Sequence, residues 1–245
     1  MVVFLSGIGG ITETWSEQME AVAEAGFSVL AIQLPGSGVL NAVTFSLPRA
    51  ERVIRRVLEA FGDENDDEGT NKVLMVAWGI SCHVAMYLAP RLDNLAGLVL
   101  LGSPILPSLG YDWRLSIKCS SFRLNWIAEL ARFTERAFMD TETRRAVSSD
   151  IINPQARSDW FNSFTSNKDA LRRACAQYGG PVLCISGSES YIKEFKSYFS
   201  NTRSGFVECQ LVKKFGAAGL NSYPFNHGAL IADKIVDFTC NLFIY

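Results

Sequence analysis

Lys72-Val73-Leu74-Met75-Val76-Ala77-Trp78-Gly79-Ile80-Ser81-Cys82-His83-Val84-Ala85 is the stretch on which the fold turns. Residues 73–77 are an uninterrupted apolar run, as expected of a strand buried on both faces, and 82–92 carry small and apolar residues along one helical face. A strand that passes through a tight turn into a helix is one step of an alternating βα chain. The same step appears upstream, where the apolar run 2–5 ends in Ser6-Gly7-Ile8-Gly9-Gly10 and Trp15, Met19, Val22 and Ala23 then recur at helical spacing. Gly26 closes that helix, and 27–32 is the next buried strand. A βαβ unit requires a parallel sheet.

The pattern continues on both sides of the central stretch. Residues 47–61 place Val53, Ile54, Val57, Leu58 and Phe61 three and four apart, with Arg49, Arg52, Arg55 and Arg56 between them, which predicts an amphipathic helix with a solvated basic face. Residues 62–69 are acidic and hold no large apolar side chain, so they read as a surface loop. Strands are predicted at 95–101, 182–186 and 206–212, and helices at 191–199 and 229–243. Between residues 106 and 178 the chain turns helical, polar and aromatic, with no strand candidate, and reads as a helical cap insertion over about 107–178. The expected architecture is α/β, a mostly parallel central sheet flanked by helices, in a single domain spanning residues 1–245.

Bulk properties narrow the function. The 245 residues are 48% hydrophobic and 20% charged, as in an ordinary globular protein. A net charge of −2 with no face-sized Lys/Arg cluster argues against a nucleic-acid partner. No stretch approaches the ~18 uncharged apolar residues of a membrane span, and 2–5 is too short for a signal core, so the chain reads as cytoplasmic. The six cysteines form no C-x-x-C pair and sit mostly in apolar segments, which indicates neither a zinc site nor a disulfide framework. Phosphate-loop and dinucleotide-loop glycine spacings are absent, and no cofactor is expected. With only two histidines, imidazole chemistry must use His83 or His227.

The loops carry a resemblance. Ser6-Gly7-Ile8-Gly9-Gly10 after an early strand, Trp15 soon after it, Gln33-Leu34-Pro35-Gly36-Ser37-Gly38 after the next strand, Ala77-Trp78-Gly79-Ile80-Ser81 at a strand-to-helix turn, and Asn226-His227-Gly228-Ala229-Leu230 before an apolar helix resemble the α/β-hydrolase superfamily. The likeness spans nearly the whole chain and is similar to compact lipases and esterases that lack a leading hairpin. In that family the turn carries G-x-S-x-G, whose serine is the nucleophile and whose proton is taken by a histidine.

What the resemblance implies here is a degenerate catalytic triad. Gly79 falls at the nucleophile position and offers no nucleophile, and Ser190, in Gly187-Ser188-Glu189-Ser190, falls at the acid position, where a carboxylate is required. His227 is the retained member. Ser6, Gly7 and Ile8 correspond to the family's oxyanion turn, with Ser6 in place of its usual histidine, and Trp78 and Ile80 would line the pocket. Three readings stay open at this point. The first is a pseudoenzyme that binds a small apolar molecule or a protein partner. A second is an ester or lipid hydrolase acting on an acyl ester through Ser81, His227 and Glu189, in a register that reads Gly79-Ile80-Ser81-Cys82-His83 as the elbow. The third is a non-hydrolytic enzyme with His227 as general base.

Overall fold

The computed structural model describes residues 1–6, 12–36, 40, 43–61, 72–79, 81–102, 159, 163, 167–187, 189–202, 205–212 and 228–243. Six strands, β1 (Val2–Leu5), β2 (Val29–Ile32), β3 (Val73–Trp78), β4 (Leu95–Leu101), β5 (Val182–Ser186) and β6 (Val207–Leu211), form one sheet in the order β2-β1-β3-β4-β5-β6. Every pairing is parallel. Among the described residues six α-helices alternate with them: α1 (Ser16–Glu24), α2 (Leu47–Phe61), α3 (Ser81–Leu88), α4 (Lys168–Gln177), α5 (Glu189–Phe199) and α6 (Gly228–Phe243). The expected α/β class with a parallel, helix-flanked sheet is therefore the observed one.

The central strands are apolar throughout because both their faces are covered. In β5, Val182 and Cys184 join one buried cluster while Leu183 and Ile185 join the other. The first cluster takes in residues of α2, α3, α4 and α5, and the second lies under α1 and α6, so the sheet separates two cores. Each large side chain moved fully out of water there contributes about 1.5–3 kcal/mol. The edge strands differ: β6 is half-buried along its whole length.

Helix ends follow local chemistry. Gly26, at φ 91°, ends α1: its N–H donates to the Ala23 carbonyl at 2.9 Å and that of Phe27 to Val22 at 3.2 Å, the paired closure that a left-handed glycine permits. Phe27 is used in that closure, which is why β2 starts at Val29 and not at residue 27. Ser46 caps α2 by accepting from the Arg49 N–H at its Oγ. Leu47, Ala50, Ile54 and Leu58 face the core, and Arg52 and Arg56 face solvent. The helix predicted over 82–92 stops at Leu88 and tightens into a 3-10 turn, Ala89–Arg91, because Pro90 brings no N–H to continue it. Arg91 lies 3.8 Å over the Tyr87 ring and donates to the Tyr87 carbonyl, closing the turn.

Gly97 fixes how closely α6 lies on the sheet. A Cβ there would stand 2.9 Å from Leu242 Cδ2 and 3.2 Å from Leu74 Cδ1, so any side chain at this position requires those leucine ends to shift. Residues 168–177, read from the sequence as the end of the cap insertion, form α4, which packs against α3 and α5 beside the sheet. Most of the remaining insertion lies outside the described residues, as does 62–69.

Candidate functional site

Parallel pairing brings the carboxyl ends of all strands to one edge of the sheet, the place where α/β proteins hold ligands. Ser6 at the end of β1, Gly79 at the end of β3, Gly102 after β4 and Glu189 after β5 therefore share that edge. Gly7, Ile8, Ile80 and His227 lie outside the described residues, and for Ser190 the position in α5 is described but not its side chain.

The turn between β3 and α3 is the center of the site. Gly79 has φ 61°, a left-handed value that side chains rarely adopt, and no atom of the described residues stands within 4 Å of the Cβ it lacks. Its N–H donates to the Leu101 carbonyl at 2.9 Å, and its own carbonyl accepts from the Cys82 N–H at 3.1 Å. The turn is thus tied to the end of β4 on one side and to the first turn of α3 on the other. Trp78, just before it, is 7% exposed.

Ser81, the first residue of α3, is fully buried, and its Oγ donates to the Ser6 carbonyl. That bond links the end of β1 to the start of α3 and points the hydroxyl into the protein. Cys82 is also fully buried, with Sγ 3.4 Å from the Ala77 carbonyl oxygen and 3.5 Å from that of Leu101; burial pushes its thiol well above the usual range. A thiol held protonated is inert as a nucleophile. His83 is 2% exposed and belongs to the packed interior of α3. Glu189 is the first residue of α5 and is exposed to solvent.

One contributor escapes a reading of motifs. Gln18 is fully buried in α1, and its Nε2 donates to the Gly228 carbonyl at 3.1 Å. It therefore fixes the first residue of α6, the one that follows His227 in the chain. Its signal in the sequence is a polar residue on the stripe formed by Trp15, Val22 and their neighbours, three and four residues away. Trp15 itself is buried against Phe4, with ring centroids 5.2 Å apart.

The edge so built offers backbone turns and a left-handed glycine, but among the described residues no group of three or more His, Cys, Asp or Glu positioned to hold a metal. No helix of the described residues is long and apolar enough to cross a membrane. A groove of about 440 Å³ lies elsewhere, between β6 and α6, lined by Phe206, Glu208, Lys234 and Phe238 among others.

Solved structures with this fold span several chemistries. AqDC, described as recognising and ring-cleaving the Pseudomonas quinolone signal, superposes with a TM-score of 0.72 at 12% identity, over 96% of this chain and 90% of its own. A carboxylesterase structure from the thaumarchaeon Nitrososphaera gargenis gives 0.68 at 15% identity, over 98% and 91%. The bottromycin epimerase BotH gives 0.63 at 15% identity, over 97% and 90%. No curated protein sequence matches the chain. The family model described as "Alpha/beta hydrolase family" matches residues 2–193, and with the parallel sheet and the β3–α3 turn in place the chain belongs to the alpha/beta hydrolase family.

Proposed function

We propose that this protein uses the α/β-hydrolase fold to bind a small apolar ligand at the carboxyl edge of the sheet, without serine-hydrolase chemistry. The observation that carries this reading is Gly79. The family's nucleophile belongs on a strained strand-to-helix turn, and the left-handed φ of 61° falls on this glycine. Ser81, two residues along the chain, supports the same conclusion, because it is buried and donates to the Ser6 carbonyl. Glu189 is exposed to solvent at a helix start, the usual setting of a solvated surface carboxylate. A protein partner in place of the small ligand is the other occupant this reading admits.

The test is labelling of the folded protein with a fluorophosphonate probe, beside Ser81→Ala and His227→Ala, with peptide mapping of any adduct. No adduct is expected in any of the three. An adduct on Ser81 that disappears in His227→Ala overturns the proposal in favor of an ester hydrolase using Ser81, His227 and Glu189.

A second reading has support of its own. Gln18 holds Gly228, and with it the chain position next to His227, by a buried hydrogen bond, and AqDC and BotH are described by ring cleavage and epimerisation on the same fold. Here His227 is a general base and no nucleophile is needed. Its mark is an activity lost in His227→Ala and unchanged in Ser81→Ala.

A further inference from the structure

Cys184 and Cys209 are register partners in the adjacent parallel strands β5 and β6. Partners in a sheet project their side chains to the same face at the strand spacing of ~4.8 Å, within the Cα separation that a disulfide spans. Both thiols lie on the face covered by α4 and α5, where Cys184 is fully buried and Cys209 half-buried. The two thiols influence each other in opposite directions, Cys184 upward and Cys209 downward.

We propose that this pair is a peroxide-responsive dithiol, with Cys209 as the attacking thiol and Cys184 as the resolving one. Three features assign the roles. Cys209 sits on an edge strand and is reachable from solvent, whereas Cys184 is not. The neighbouring Cys184 side chain holds the Cys209 thiol below its ordinary range, with the exposed Lys196 ammonium of α5 adding to the effect, against burial and the Glu208 carboxylate. Burial raises Cys184, so it stays protonated until it is used. An accessible low-pKa thiol beside a resolving thiol is the arrangement that peroxide sensing requires.

The chemistry balances with peroxide as the oxidant. The Cys209 thiolate attacks one peroxide oxygen, the O–O bond breaks, and the departing oxygen leaves as water once protonated, with sulfenic acid on Cys209. The Cys184 sulfur then attacks the sulfenic sulfur, the S–O bond breaks, and the Cys184 proton leaves with the hydroxyl as a second water. Two thiols and one peroxide give one disulfide and two waters. The product staples the edge strand β6 to β5.

The experiment treats the native protein with a small excess of hydrogen peroxide, alkylates the remaining thiols and maps peptides without reduction. A Cys184–Cys209 crosslink, two hydrogens lighter and reversed by dithiothreitol, is expected, with Cys209 reacting about tenfold faster than the half-buried Cys240. Cys82 and Cys175, both fully buried, should alkylate only after unfolding. In Cys184→Ala, dimedone should trap a sulfenic acid on Cys209; the wild-type map decides the matter alone if that variant does not fold. Cys209 oxidised to sulfinic acid while Cys184 stays free, or Cys209 no more reactive than Cys240, overturns the proposal.

Discussion

Tyr178 is 5% exposed, and its hydroxyl is buried with no hydrogen-bond partner among the described residues. Burial pushes the phenol well above its ordinary range. An unsatisfied buried hydroxyl costs free energy that a ring without it would not. Tyr178→Phe should therefore leave stability unchanged or raise it by up to ~1 kcal/mol, read as a urea midpoint at least equal to wild type. A clear fall in the midpoint would mean that the hydroxyl has a partner after all. At this scale the sequence was informative where a motif fixes the position, as at Gly79, whose place in a strand-turn-helix stretch already marks it. It was silent on Gln18–Gly228 and on Cys184–Cys209, because a hydrogen bond across 210 residues and a pairing between strands depend on register, which no local spacing encodes.

At the scale of elements, close approach of α6 to β4 rests on Gly97. Gly97→Val drives methyl groups into Leu242, Leu74 and Phe238 and should cost about 1–3 kcal/mol, seen as a lower denaturant midpoint with the fold retained by circular dichroism. Element types were legible from periodicity: Leu47–Phe61, Leu95–Leu101 and Val182–Ser186 begin and end where apolar spacing puts them. The departures come from single residues with backbone consequences. Pro90 cuts α3 short at Leu88, and the closure at Gly26 and Phe27 delays β2.

Over the whole molecule, buried thiols tie stability to alkaline pH. Burial raises Cys82 well above 9.0 and Cys175 to about 12 from the same ordinary value. A folded pKa above the unfolded one means that the folded state holds the proton longer, so this stability is complete below pH 9.0 and is lost as pH rises toward about 12. The urea midpoint should be level between about pH 7 and 8.5 and decline above pH 9, and Cys175→Ala should flatten part of that decline. A midpoint level through pH 11 in the wild type would contradict it. Strand order was the least legible property at this scale: alternation predicts a parallel sheet, but the order β2-β1-β3-β4-β5-β6 is set by tertiary contacts that local spacing does not encode.

The same strand order governs how the chain meets the ribosome. β1 is made before its two neighbours yet ends between them, pairing with Val29–Ile32 on one side and with β3 on the other. At synthesis rates of ~5–20 residues per second, Val2-Val3-Phe4-Leu5 waits on the order of several seconds for Val73–Trp78 to be made. For that interval an all-apolar strand, later buried on both faces, has one edge open on the nascent chain. A strand that ends with both edges paired thus begins as an open apolar edge, because its second neighbour is made so much later.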